Sequence, residues 1–194
     1  MIVITNPIPI ANEISIIHSL FAEGLRLLHI RKPVFSALEM KVFLSEIECE
    51  YSNRLVLHNH HDLADEFGIN RLHYSEKDRA DSYPFSKKTC STATHSIEDF
   101  NALHSIFDYA FLSPVFSSIS KQGYTSKLDF PTAIEKRTNH KTKLIALGGI
   151  QFENINQALA FGFDDIALLG TIWCSENPLE NFKKCQQIDL SYLV

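Results

Sequence analysis

The 194-residue chain is 45% hydrophobic and 21% charged with a net charge of −5, the balance of a globular protein with room for a full core. It has no basic block, which excludes a nucleic-acid surface. Its first residues, MIVITNPIPIANE, lack the basic and unbroken apolar segments of a signal peptide or membrane span. The four cysteines (Cys49, Cys90, Cys174, Cys185) are scattered without a CxxC pair. They read as reduced thiols of a cytoplasmic protein rather than a disulfide framework or zinc site.

Taken in order, Ile2–Thr5 reads as a first strand, ended by Asn6-Pro7, and Asn12–Phe21 as a first helix. Leu25–Ile30 is a second strand, running into Arg31-Lys32-Pro33. Ser36 and Glu39 stand at capping-box spacing before the apolar face Met40, Phe43, Leu44 and Ile47 of a second helix. Arg54–Leu57 is a third strand followed by His58-Asn59-His60-His61-Asp62, then a short helix over Leu63–Phe67. Ile69–Tyr74 is a fourth strand, Ser75–Pro84 a polar loop, Lys87–Thr92 a fifth strand, and Ser96 caps the next helix. Tyr109–Leu112 is a sixth strand and 130–137 a helix. The run from Lys143 stops at Gly148-Gly149, residues 152–161 are helical, and the run from Asp165 stops at Gly170. Leu179–Cys185 closes the chain as a helix.

Eight strands alternating with helices imply βαβ units and a parallel sheet. That number favours a compact (β/α)8 TIM barrel with few insertions over an open sheet, and no linker divides the single domain, 1–194. Polar residues gather after strands: His29, Arg31 and Lys32; His58 to His61; His73 and Asp78; Thr94 and His95; Ser118, Ser120 and Lys121. The carboxyl ends of barrel strands are where active sites form. Gly148, Gly149, Leu169 and Gly170 stand after the last two strands, where barrels hold phosphate on backbone N–H groups, with no Cβ to keep the ligand away. His58, His60 and His61 show no metal-ligand spacing such as HExxH, so a histidine metal site is not expected.

Several segments together resemble the thiamine phosphate synthase/TenI superfamily: HIRK after strand two, HNHHDLA after strand three, RLHYSEKD, TATHSIED, DYAFLSPVFSSISKQGY, KLIALGGI and GFDDIALLG. The resemblance covers nearly the whole chain. It implies a small barrel of thiamine biosynthesis, a phosphorylated thiazole as ligand and a homodimer. In the synthase, hydroxymethylpyrimidine diphosphate is joined to thiazole phosphate and magnesium pyrophosphate is released. The matching diphosphate and pyrimidine positions are Arg31, Asn59, Ser118, Ser120 and Lys121, with Gly148, Gly149, Leu169 and Gly170 on the thiazole phosphate. Mg²⁺ is implied if the chain is a synthase.

Departures from the synthase pattern shape the functional expectation. Pro33 replaces the second cation after strand two, His58-Asn59 replaces the Asn-Asp pair, and Asp78 alone keeps a metal carboxylate. An incomplete carboxylate set binds Mg²⁺–diphosphate poorly. The leading expectation is therefore the TenI branch, a thiazole tautomerase that needs an acid/base near neutral pKa and no cofactor. The strand-six histidine of that branch is replaced by Pro114, leaving His29, His58, His95 and then Lys121 as candidates for the proton shift. A divergent thiamine phosphate synthase and a non-catalytic phosphate-binding barrel are the alternatives.

Overall fold

The computed structural model describes residues 1–81, 88–103, 107–117 and 130–192. Its strands are β1 (Ile2–Ile4), β2 (Leu27–Ile30), β3 (Leu55–Leu57), β4 (Arg71–Tyr74), β5 (Thr89–Thr94), β6 (Tyr109–Leu112), β7 (Lys143–Leu147) and β8 (Asp165–Leu168). Each pairs parallel with its sequence neighbour, and β8 closes on β1, giving a closed eight-stranded barrel. The helices are α1 (Glu13–Ala22), α2 (Ala37–Ser45), α3 (Glu76–Asp81), α4 (Ile97–Asn101), α5 (Phe130–Glu135), α6 (Ile155–Ala160), α7 (Gly170–Trp173) and α8 (Pro178–Tyr192). Among the described residues, no helix is long and apolar enough to cross a membrane.

Side chains alternate between two environments because successive strand residues face opposite sides. Outward residues such as Val3, Leu28, Leu57, Leu112, Leu144 and Leu168 pack under the helices in the larger core. The smaller inner core holds Ile2, Ile4, Tyr109, Phe111, Ile145 and Ala167. Inward positions on β2, β4 and β5 are not apolar: His29, His73 and Ser91 are buried there. Their placement follows from register, since His73 pairs with Ser91 and Ser91 with Tyr109 across adjacent strands.

Several expected boundaries move. The strand expected over Lys87–Thr92 runs from Thr89 to Thr94. The polar Ser75–Pro84 loop contains α3. The helix expected over Leu63–Phe67 is a 3-10 turn over His61–Leu63, entered through His60 in the left-handed region. The final helix extends beyond Cys185 to Tyr192. The Ser36–Glu39 capping box forms as expected, with both reciprocal bonds present.

Candidate active site

The loops after the strands enclose a cavity of about 590 Å³ at the carboxyl end of the barrel, ample for a small phosphorylated heterocycle. Its two sides differ. One is backbone and apolar surface from Gly148, Gly149, Ile150, Leu169, Gly170 and Thr171. The other presents Arg31, His58, His73, Ser75, Glu76, Lys77 and His95.

On the first side the glycines have a structural cause. Gly148 and Gly149 have φ of 99° and 65°, a region costly for L side chains. A Cβ on Gly149 would meet the Ser117 carbonyl oxygen at 2.3 Å, and one on Gly148 would meet Pro114 Cα at 2.8 Å. The missing side chains thus make room for the loop after β6. The loop is pinned there by Val115 N–H to the Leu147 carbonyl and Phe116 N–H to the Gly148 carbonyl, 3.0 and 2.9 Å. Among the described residues, no protein acceptor takes the N–H of Gly149 or Ile150, which leaves two donors beside the cavity.

The other side is built on parity. Arg31 follows His29 by two residues and faces inward one layer higher, at the mouth. Lys32, next in sequence and of opposite parity, faces outward. It is fully buried against Glu13 (2.6 Å) and the Asn6 carbonyl (2.8 Å), beneath the rings of Phe35 and Phe43. This cation of the HIRK motif therefore holds α1 to the strand-two loop and takes no part in the cavity. The same alternation separates His58, which lines the cavity, from Asn59, whose amide donates to the Lys32 carbonyl at 3.2 Å.

Three expected site residues, His29, Asn59 and Asp78, lie off the cavity wall, and a fourth, His95, lies on it. His29 is fully buried behind His58 and is not part of the cavity wall. Asn59 is turned away, as described. Asp78 accepts from the Ser75 hydroxyl at 2.6 Å on α3 and does not line the cavity. His95 does line it, but stands apart from the other imidazoles, bonded to the Ser113 carbonyl at 2.8 Å and 3.9 Å from Glu76. Ser118, Ser120 and Lys121 lie outside the described residues. Residues that sequence reasoning did not single out are Lys77, Glu76, Ser75 and Tyr109. The first three sit in the stretch expected as a polar loop, although their place just past β4 is the available signal; Tyr109 opens the expected sixth strand.

The buried imidazoles form one cluster. His29 Nδ1 lies 2.9 Å from His58 Nε2, and His29 Nε2 lies 2.8 Å from the Tyr109 hydroxyl. Ser91 Oγ lies 2.9 Å from His73 Nδ1. Burial, before any neighbouring charge, holds His29 and His58 well below the usual histidine range and lowers His73 to about 3. Burial also raises the Tyr109 phenol to about 12. All four are therefore uncharged at neutral pH. By contrast, His60 and His61 are spent on backbone carbonyls, Phe35 for the first and Leu57 and His73 for the second.

One ring nitrogen from each of His29, His58 and His73 lies within 4.8 Å of the others, so a metal must be considered. His58 and His73 stack face to face, centroids 4.0 Å apart and planes 27° apart. Lone pairs lie in the ring plane, so stacked rings aim them nearly side by side rather than at one point. His29 Nδ1 and His58 Nε2 already share a hydrogen bond. The cluster fits a hydrogen-bonded network better than a ligand set. Mg²⁺ has a different requirement, oxygen ligands with carboxylates among them. Asn59 carries no carboxylate and its amide donates to the Lys32 carbonyl, while Asp78 accepts from Ser75, so no carboxylate set assembles at the cavity among the described residues, and no step is derived through that ion.

A family model described as thiamine monophosphate synthase matches residues 1–172. The thiamine-phosphate synthase of Gloeobacter violaceus is 25% identical over 187 residues, 90% of this chain and 53% of that protein, so the chain spans about half its length. The thiamine-phosphate synthase of Dictyoglomus turgidum is 24% identical over 180 residues, 89% of this chain and 81% of that one. A thiamine phosphate pyrophosphorylase structure from Bacteroides thetaiotaomicron superposes with a TM-score of 0.79 at 30% identity, covering 97% of this chain and 96% of the other.

Proposed function

The chain belongs to the thiamine monophosphate synthase family, and from that premise we propose that it acts on a phosphorylated thiazole, joining it to a pyrimidine diphosphate to form thiamine phosphate. The relatives that cover about nine-tenths of the chain carry the synthase name, which puts this transferase reading ahead of the tautomerase favoured from sequence. The observation that carries it is the two-sided cavity: backbone donors at Gly149 and Ile150 opposite the cationic side chains Arg31 and Lys77. One side suits a monophosphate held by N–H groups. The other suits the charge that grows on a diphosphate as its bond to the pyrimidine methylene breaks and the thiazole nitrogen bonds to that carbon.

A second reading, the thiazole tautomerase, is favoured by one specific observation. Uncharged imidazoles of His58 and His73 line the cavity, stacked with centroids 4.0 Å apart. A proton shift within the thiazole needs an acid and a base but no diphosphate site. Separate incubations discriminate the two readings. Thiamine phosphate and pyrophosphate are the expected products from both synthase substrates with Mg²⁺. No coupling, together with conversion of the thiazole tautomer, would replace the first reading by the second.

A further inference from the structure

We propose that His95, aimed by the Ser113 carbonyl, is the single acid/base residue of the cavity: it takes a proton from one atom of a bound, phosphorylated heteroaromatic ligand and returns it to another. The choice of ligand rests on the tautomerase reading; the orientation of the imidazole does not.

That orientation follows from one hydrogen bond. His95 Nδ1 lies 2.8 Å from the Ser113 carbonyl oxygen. A carbonyl only accepts, so the proton of the neutral ring is on Nδ1 and the lone pair is on Nε2. Nε2 has no hydrogen-bond partner among the described residues, and His95 lines the cavity. Ser113 is itself fixed, its N–H donating to the Thr94 carbonyl at 3.2 Å just past the β5–β6 ladder. It also opens the loop that packs against Gly148 and Gly149. The base and the backbone donors of the glycine side are thus held in one frame.

Three histidines line the cavity, and burial disqualifies two of them as proton stores. It holds His58 well below the usual histidine range and His73 at about 3, because a proton on either ring would be a desolvated charge. Both can hydrogen-bond a heterocycle as neutral groups. The His95 side chain is 55% exposed, so water solvates its charged form, and Glu76 Oε2 lies 3.9 Å from Nε2 to pair with it. Among the other charges on α3, Arg79 is engaged by Asp99 at 2.7 Å and by the Ala93 carbonyl at 3.4 Å, while Lys77 lines the same wall.

The cycle closes on one residue. A C–H bond of the ligand breaks, its proton bonds to His95 Nε2, and its electron pair moves into the conjugated system. The imidazolium then gives the same proton to a second ligand atom, where that electron pair forms the new bond. The ligand is isomerised, Nδ1–H never leaves the Ser113 carbonyl, and His95 ends as the base it began as. Here His95 is the catalytic residue; Glu76 is a positioning residue that acts through it.

The test uses the full chain and the thiazole phosphate tautomer. Nitrogen–proton correlation spectra of ¹⁵N-histidine-labelled protein at mildly alkaline pH are expected to show His95 as the Nδ1–H tautomer. His95→Asn keeps a donor for Ser113 and removes Nε2. It should lower kcat by about 100–10,000-fold, with the affinity for thiazole phosphate and the melting curve unchanged. His95→Ala should lose as much and regain part of its rate when free imidazole is added, which a structural role would not allow. Glu76→Gln should lower kcat by up to about fivefold in the otherwise native chain and have no effect beside His95→Asn, a coupling that marks action through the imidazole. An Nε2–H tautomer, or a folded His95→Asn that keeps the wild-type rate, overturns the role of His95 and leaves the tautomerase reading standing. A wild type that converts no tautomer overturns that reading, and the proton shift at His95 with it.

Discussion

The two sides of the barrel mouth use different parts of the chain. The β7–β8 side works through backbone: Gly148 and Gly149 are packed against the loop after β6, and the inner strand positions beneath them, Ile145 and Ala167, are apolar. The β2–β5 side works through side chains, and its inner positions His29, His73 and Ser91 are polar and hydrogen-bonded. A backbone site is rigid because removing it means unpacking a loop. A side-chain site can be retuned one residue at a time.

The largest effect should come from the ion pair that supports the side-chain half from outside. Lys32→Met leaves Glu13 buried without its cation, a change that typically costs about 3–5 kcal/mol. Ligand affinity of the folded fraction should stay unchanged, measured by chemical denaturation alongside calorimetry. A large loss of affinity would place Lys32 in the site after all. Pairing Lys32→Met with Glu13→Leu should recover much of the stability.

Next comes the backbone half. Gly149→Ala must accommodate a Cβ at 2.3 Å from the Ser117 carbonyl at φ of 65°, so a loss of at least about 2 kcal/mol is expected. For a chain of this size that corresponds to a melting temperature lower by roughly 4–8 °C. An unchanged melting curve would mean that the glycine serves the ligand only.

The imidazole cluster predicts a smaller, graded response to acid. Its histidines have folded pKa values below the unfolded 6.5, His73 at about 3. The unfolded chain therefore binds more protons, and stability is fully present above pH 6.5 and falls as pH drops toward 3. The slope is at most about 1.4 kcal/mol per pH unit for each imidazole. Denaturation series across that window should show net proton uptake on unfolding. A flat profile from 6.5 to 4 would show that the cluster is charged or exposed.

Arg31→Gln should have the mildest effect, about a tenfold weaker affinity for a diphosphate ligand, as expected for one charge-assisted contact, with the melting temperature little changed. No change in affinity would remove Arg31 from the ligand.

The fold was legible because apolar runs of strand length, punctuated by glycine, recur at even spacing and need no partner to be recognised. Boundaries drifted where that signal thins: Thr89–Thr94 is a run of small polar residues, and α3 lies in a polar stretch without an apolar face. Arg31, His58, His95, Gly148, Gly149, Leu169 and Gly170 all reach the cavity. His29, Asn59 and Lys32 did not behave as expected because position after a strand says nothing about layer or side. Strand parity does, and it separates Arg31 from Lys32 and His58 from Asn59. The contact between His29 and Tyr109 spans opposite sides of the barrel, 80 residues apart in sequence, and no local pattern encodes it.

The division of labour at the mouth is tested most directly by titrating thiazole phosphate and its dephosphorylated alcohol into the wild-type protein by calorimetry. The account predicts that the phosphate strengthens binding by roughly 100-fold, about 2.7 kcal/mol. It further predicts that the gain persists in His58→Gln, because it comes from the glycine side. Equal affinities for the two ligands would contradict it.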